Sequence, residues 1–192
     1  PAAVAGYGTG ARLEYLLVPL VFGLGAPLAA MVGTAVGAGA FKRAAQVAWT
    51  GAIISGALTE LIGVAAALKP QVWLNLYGHD PAMTDFGIRY LQTVGPFYGF
   101  FGFGLALYFA SQGTGRLLWP LAAGVVRLAV AAGGGFLATR LGAGTTGVYD
   151  ALAAAMIMFW GINSFAVFSG AWIRHARAGG TDSQPVILAV AE

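Results

Sequence analysis

The stretch AAQVAWTGAIISGALTELIGVAAALKP (Ala44–Pro70) decides the fold. From Ala44 to Leu68 its only charged residue is Glu60. A helix needs about 20 apolar residues to cross the hydrocarbon layer, and this run is long enough. It also lacks the apolar/polar alternation that a membrane barrel strand requires. A glutamate in the middle asks whether the run is a membrane helix at all, and composition answers. The chain has 192 residues, of which 58% are hydrophobic and 9% charged, with a mean hydropathy of +0.77. Soluble domains carry about 25% charged residues. So few charges cannot clothe a water-facing surface, so the bilayer is the solvent for most of this chain.

Outward from that run lie four more segments of spanning length. Tyr15–Phe41, Tyr90–Gly115 and Ala151–Ile173 carry no charge, and Leu117–Thr139 carries only Arg127. The expected fold is all-α and integral to the membrane. Its five transmembrane helices fall at about 13–41, 44–68, 88–115, 117–139 and 149–174, within residues 6–177, followed by a polar, then weakly apolar tail at 178–192. GYGTG (Gly6–Gly10) reads as a loop entering the first helix. GAGAFKR, GTGR and RLGAGTTGVYD join later spans. The long link LKPQVWLNLYGHDPAMTD holds an amphipathic QVWLNLY suited to the interface. It ends in a helix-start signal, Asp80 as cap and Pro81 at the first helical position.

Five spans place the two ends of the chain on opposite sides. Lys42, Arg43, Arg116, Arg174 and Arg177 fall on one side; Arg12, Lys69, Arg89 and Arg140 fall on the other, beside Glu14, Asp80, Asp85 and Asp150. Basic residues favour the cytoplasmic face, which puts the C-terminal side in the cytoplasm. The net charge of +3 comes without a basic stripe, so no nucleic-acid partner is expected. With no cysteine, and with His79 and His175 far apart, no metal or cofactor site is expected. GYGTG lacks a preceding strand, and its third glycine is at the wrong spacing for a dinucleotide loop. GAGAFKRA lacks the Gly-Lys-Ser/Thr ending of a phosphate loop. Nothing groups a nucleophile with a base, so catalysis is not expected.

The two deep charges are the candidates. Glu60 lies about 14 residues from Gln46, about 21 Å from the side bearing Lys42, and Arg127 about 10 residues from Leu117, about 15 Å from that side. A charge at the bilayer centre costs about 3 kcal/mol or more, so neither should face lipid. Gly56, Glu60, Gly63 and Ala67 share one face, and Gly124, Arg127, Ala131 and Gly134 share another. Small residues let helices approach closely in lipid. Three readings stay open. Glu60 and Arg127 form a structural ion pair. Alternatively, Arg127 faces an aqueous cleft and pairs elsewhere, while Glu60 takes up and releases a proton with transport. In the third, Glu60 is buried and neutral, hydrogen-bonded to Ser55, Thr59 or a group on another helix, and has no role. Glu14 and Asp150, near span ends, are expected to be satisfied by solvent and caps. Phe97, Phe101, Gly104, Tyr108 and Ser111 share a face that would line a pathway for flat cations or serve ordinary packing.

VGTAVGAGAFKRA (Val32–Ala44) resembles the segment that follows the second helix in each half of the multidrug and toxic compound extrusion (MATE) transporters. The lead-in GYGTGARLEYLLVPLVFGLGAPLAAMVG is similar to the start of that helix in the C-terminal half. FYGFFGFGLALYFASQGTGR and LLWPLAAGVVRLAVAAGG look like the fourth and fifth helices of the same half. The resemblance spans Ala5 to about Arg177. It implies most of one six-helix lobe of a twelve-helix, two-lobe antiporter, namely its last five helices. The partners would be the lipid bilayer, a small amphipathic substrate and the missing N-terminal lobe. The implied function is export of amphipathic, often cationic molecules by alternating access, coupled to sodium or protons, in the bacterial inner membrane. The coupling carboxylates of well-known branches do not carry over: two lie on helices outside this chain, and the region around Gly99 to Phe103 has no acidic residue. Glu60 and Arg127 are thus candidates on their own chemistry. The alternatives are a flippase for lipid-linked saccharides, which needs several basic cavity residues, and a non-transporting membrane scaffold.

Overall fold

The computed structural model describes residues 2–78 and 80–173. Among them are seven α-helices and one 3-10 turn, with no strand. They are α1 (Ala2–Gly37), α2 (Phe41–Leu68), the short α3 (Pro70–Leu74), α4 (Pro81–Val94), the 3-10 turn Gly95–Phe97, α5 (Tyr98–Gly113), α6 (Leu118–Arg140) and α7 (Gly144–Phe168). With α4 and α5 running on as one span, 5 helices are long and apolar enough to cross a membrane. His79 and the tail at 178–192 lie outside the described residues, as do Arg174, His175 and Arg177.

The first helix corrects the sequence reading. It begins at Ala2 rather than near residue 13, and GYGTG is helical. Glycine in a helix interior costs about 1 kcal/mol relative to alanine, yet these glycines allow a close crossing of α4. A methyl group at Gly6 would collide with the Met83 carbonyl and Phe86, and one at Gly10 would collide with the Tyr90 ring. Packing outweighs propensity here. Arg12 and Glu14 therefore lie within a continuous helix, Glu14 about 18 Å from its start at 1.5 Å per residue.

The third span, expected at 88–115, starts earlier and is broken. Asp80 caps α4, its carboxylate accepting from the Ala82 amide at 3.0 Å, with Pro81 at the first helical position. Pro96 has no amide to donate and interrupts the ladder; the chain passes through the 3-10 turn and starts again as α5. The last span likewise starts at Gly144, before 149, and ends at Phe168, before 174.

Small residues hold the bundle together. Along the α2–α5 seam, Gly63 meets the Gly95 backbone, Gly56 meets Gly99 and Phe103, and Thr59 fills the space over Gly102. On α1, Gly25 lies under the Phe109 ring and Gly33 against the Gly113 carbonyl. One core centres on Leu17, Leu74, Tyr90, Leu91 and Tyr98, and a second on Ala44, Ala48, Ala52, Ala106 and Leu107. α6 stands apart: it packs chiefly on α7 and barely approaches α1. Leu118, Leu121, Val125, Leu128 and Phe136 on α6 are exposed. The gap between α1 and α6 is where Arg127 meets Glu14.

Candidate functional site

Arg127 does not pair with Glu60. Its Nη2 donates to Glu14 Oε1 at 2.7 Å, linking α6 to α1 across the gap. The other oxygen of Glu14, Oε2, accepts from the Tyr90 hydroxyl at 3.1 Å. Gly10, one turn before Glu14, leaves room for the Tyr90 ring to reach it. Beyond Tyr90 the contacts are aromatic. Tyr7 and Tyr149 each meet its ring edge to face, at 5.3 and 5.4 Å between centroids. The Arg127 guanidinium lies over Phe101 at 4.6 Å and near Phe159 at 5.8 Å, positions suited to cation–π attraction.

The expectation that solvent and caps satisfy Glu14 is therefore corrected. It followed from starting the helix about eleven residues late, which put Glu14 near an end. Counted from the end at Ala2 and Arg140, Glu14 and Arg127 lie at similar depths, about 18 and 20 Å. A sequence signal for the site existed. Tyr7, Gly10, Ala11 and Glu14 recur at helical spacing and share one face, which counts only if the segment before Arg12 is helical.

The pair is not sealed. The side chains of Arg127 and Glu14 keep 31% and 17% of their exposure, and two cavities meet at the arginine. One, of about 330 Å³, is lined by Tyr7, Glu14, Arg127, Met156 and Phe159. The other, of about 390 Å³, is lined by Phe22, Phe101, Tyr108, Leu121, Arg127 and Phe159. Of the proposed pathway residues, Phe101 and Tyr108 face this second cavity. Ser111 is buried, and Phe97 packs near Phe100 at 6.0 Å, outside both cavities.

Glu60 has a different partner. Its Oε2 accepts from the Gly99 amide at 2.7 Å. That amide is in the first turn of α5, where helix donors lack intrahelical acceptors. The break at Pro96 creates this helix start inside the span, and Glu60 on α2 satisfies it. Thr59, considered from sequence as a neighbour, instead donates back to the Ser55 carbonyl at 2.8 Å. The ion-pair reading is thus corrected: Arg127 is paired elsewhere, as in the second reading, and a partly buried Glu60 accepts a hydrogen bond from another helix, as in the third.

No match was found among curated proteins or among solved structures. Residues 1–137 match the MatE family model. That is more than half of the 192 residues, and the chain accordingly belongs to the MatE family of membrane transporters and is an integral membrane protein.

Proposed function

We propose that this chain is the last five helices of a cation-coupled exporter of small amphipathic, often cationic molecules. It works by alternating access with a preceding N-terminal lobe, in the bacterial inner membrane with its C-terminal side in the cytoplasm. One observation carries the reading: the Glu14–Arg127 pair bridges two helices that otherwise barely touch, well inside both of them, between two partly open cavities. A partly buried pair of this kind is weak evidence for stability alone. It suits a latch. A sodium ion or proton that takes Glu14 releases Arg127, and α6 then has no other ion pair to α1 among the described residues. Tyr108, half-buried on the wall of the second cavity, offers a ring to a cationic substrate while it passes.

The same contact argues against a flippase for pyrophosphate-linked lipids, because the deep arginine is already neutralised by Glu14. The test is transport by the whole protein in proteoliposomes, with ethidium as cargo and an imposed proton or sodium gradient. Gradient-driven ethidium movement is expected from the parent protein. Glu14→Gln should fold, bind ethidium and lose the dependence on the gradient. Unchanged gradient-driven transport by Glu14→Gln would refute the latch.

A further inference from the structure

The two ends of the bundle differ in charge. At the end that holds the α1–α2 and α5–α6 links, the described residues carry Lys42, Arg43 and Arg116 and no carboxylate. At the other end Arg12, Lys69, Arg89 and Arg140 stand among Asp80, Asp85 and Asp150. The ion pairs are Arg89 with Asp85 and Arg127 with Glu14. The three cations of the first end are therefore without an acidic partner among the described residues. Arg43 also lines a groove of about 330 Å³ between the end of α1 and the start of α2, with Ala30, Met31, Thr34, Ala38 and Val47. Thr34 donates its hydroxyl to the Ala30 carbonyl of its own helix at 2.8 Å, and Arg43 is the only charged lining residue. The groove runs inward from the helix ends. Arg43 is about 3 Å along α2 from its start at Phe41, Val47 about 9 Å, and Ala30 about 10 Å along α1 from its end at Gly37. The charge is at the mouth, and the walls below it are apolar.

That order of charge, then apolar wall, selects the ligand class. A free anion would answer the guanidinium and leave the walls below it unused. A zwitterionic headgroup brings an ammonium that finds no carboxylate at this end. An anionic phospholipid suits both parts. A guanidinium donates paired, charge-assisted hydrogen bonds to phosphate oxygens, and the first methylenes of an acyl chain lie along Met31 and Val47. The depth agrees, since a lipid phosphate belongs at the level of the helix ends and its chains belong below. Cations beside a span attract anionic lipid wherever they stand; the groove adds a fixed place for one molecule. We propose that Arg43, with Lys42 beside it, and the groove between α1 and α2 form a binding site for the phosphate and upper chain of an anionic phospholipid. Neither the transport reading nor the direction of insertion enters this assignment.

The experiment reconstitutes the chain in phosphatidylcholine bilayers. The chain has no cysteine of its own, so a bimane label goes on Gln46→Cys, exposed on α2 one turn past Arg43 and outside the groove lining. A second label, on Leu118→Cys, is exposed at the same end near Arg116 and is the control. Phosphatidylglycerol or phosphatidylcholine with brominated chains quenches each label, and the ratio of the two gives the local lipid preference. At Gln46→Cys, phosphatidylglycerol should be preferred about threefold, within what one juxtamembrane cation supplies. At Leu118→Cys the two lipids should quench about equally. Arg43→Gln should abolish the preference at Gln46→Cys. Thr34→Phe, which fills the groove and leaves the charge, should cut it by about half or more. Arg116→Gln should leave it unchanged. No preference at Gln46→Cys, or the same preference at both labels, overturns the proposal, the second by reducing it to attraction between surface charges. An unchanged preference in Arg43→Gln or in Thr34→Phe overturns it as well. Loss of the preference to added inorganic phosphate at constant ionic strength would make the ligand a free anion and overturn the lipid assignment. Should Arg43→Gln fail to reconstitute, Thr34→Phe and the Leu118→Cys control still decide.

Discussion

At the scale of single residues, Glu14, Arg127 and Tyr90 act as one polar unit in an apolar wall. Removing one member strands the others. Arg127→Ala should destabilise the chain by about 2 kcal/mol, short of the about 3–5 kcal/mol typical of a fully buried pair because both groups keep some solvent. Glu14→Ala should cost a similar amount, and the double variant much less than the sum of the two. Thermal unfolding in detergent measures all three; strict additivity would mean that the pair is not coupled. Tyr90→Phe removes one hydrogen bond to a charged group and should cost about 1.5 kcal/mol. Gly10→Ala should cost about 1–3 kcal/mol through overpacking, since the added methyl meets the ring that positions the hydroxyl. The arginine was legible in the sequence, because a charge in the middle of a greasy run must face protein or water. Its partner was not. A tract containing three glycines between Gly6 and Gly10 carries the local signature of a loop, and only the crossing with α4 shows why those glycines are helical.

Elements are set by close approach more than by amphipathicity. The α2–α5 seam was partly legible: Gly56, Glu60 and Gly63 share a face, and Gly95 and Gly99 are spaced for tight contact. The two sets do meet, glycine against glycine. What spacing alone did not place was the break at Pro96, which turns Gly99 into a free donor and gives Glu60 its anchor. Glycines along one span should therefore differ in their response to substitution. Gly63→Ala puts a methyl against the Gly95 carbonyl, a backbone atom that cannot rotate away, and should cost about 1–3 kcal/mol. Gly133→Ala on α6 meets nothing within 4 Å; it should be neutral or stabilising by up to about 1 kcal/mol through helix propensity. Melting temperatures of the two variants, measured side by side, check the contrast. Equal gains in the two variants would mean that helix propensity, not the seam, governs α2.

For the whole molecule, the five long apolar runs made the fold class legible, because no other secondary structure shelters so much apolar sequence in lipid. The arrangement of the spans was less so. Nothing in the apolar pattern of α6 says that it leans on α7 and leaves α1, since lipid-facing and protein-facing positions on it are both hydrophobic. Five crossings fix which links share a side. Ala38, after α1, and Leu117, before α6, fall on one face; Asn75, after α3, and Leu141, after α6, fall on the other. All four are exposed, and the chain has no cysteine of its own, so single cysteines report cleanly. In intact cells, a membrane-impermeant maleimide should label Asn75→Cys and Leu141→Cys. Ala38→Cys and Leu117→Cys should stay protected until the membrane is opened, because their side carries Lys42, Arg43 and Arg116. The opposite pattern, with both pairs still segregated, would keep the five spans and reverse the orientation. Labelling of Asn75→Cys and Leu141→Cys from different sides would break the count of crossings between them. It would mean that the α4–α5 span, interrupted at Pro96, turns back within the membrane instead of crossing it.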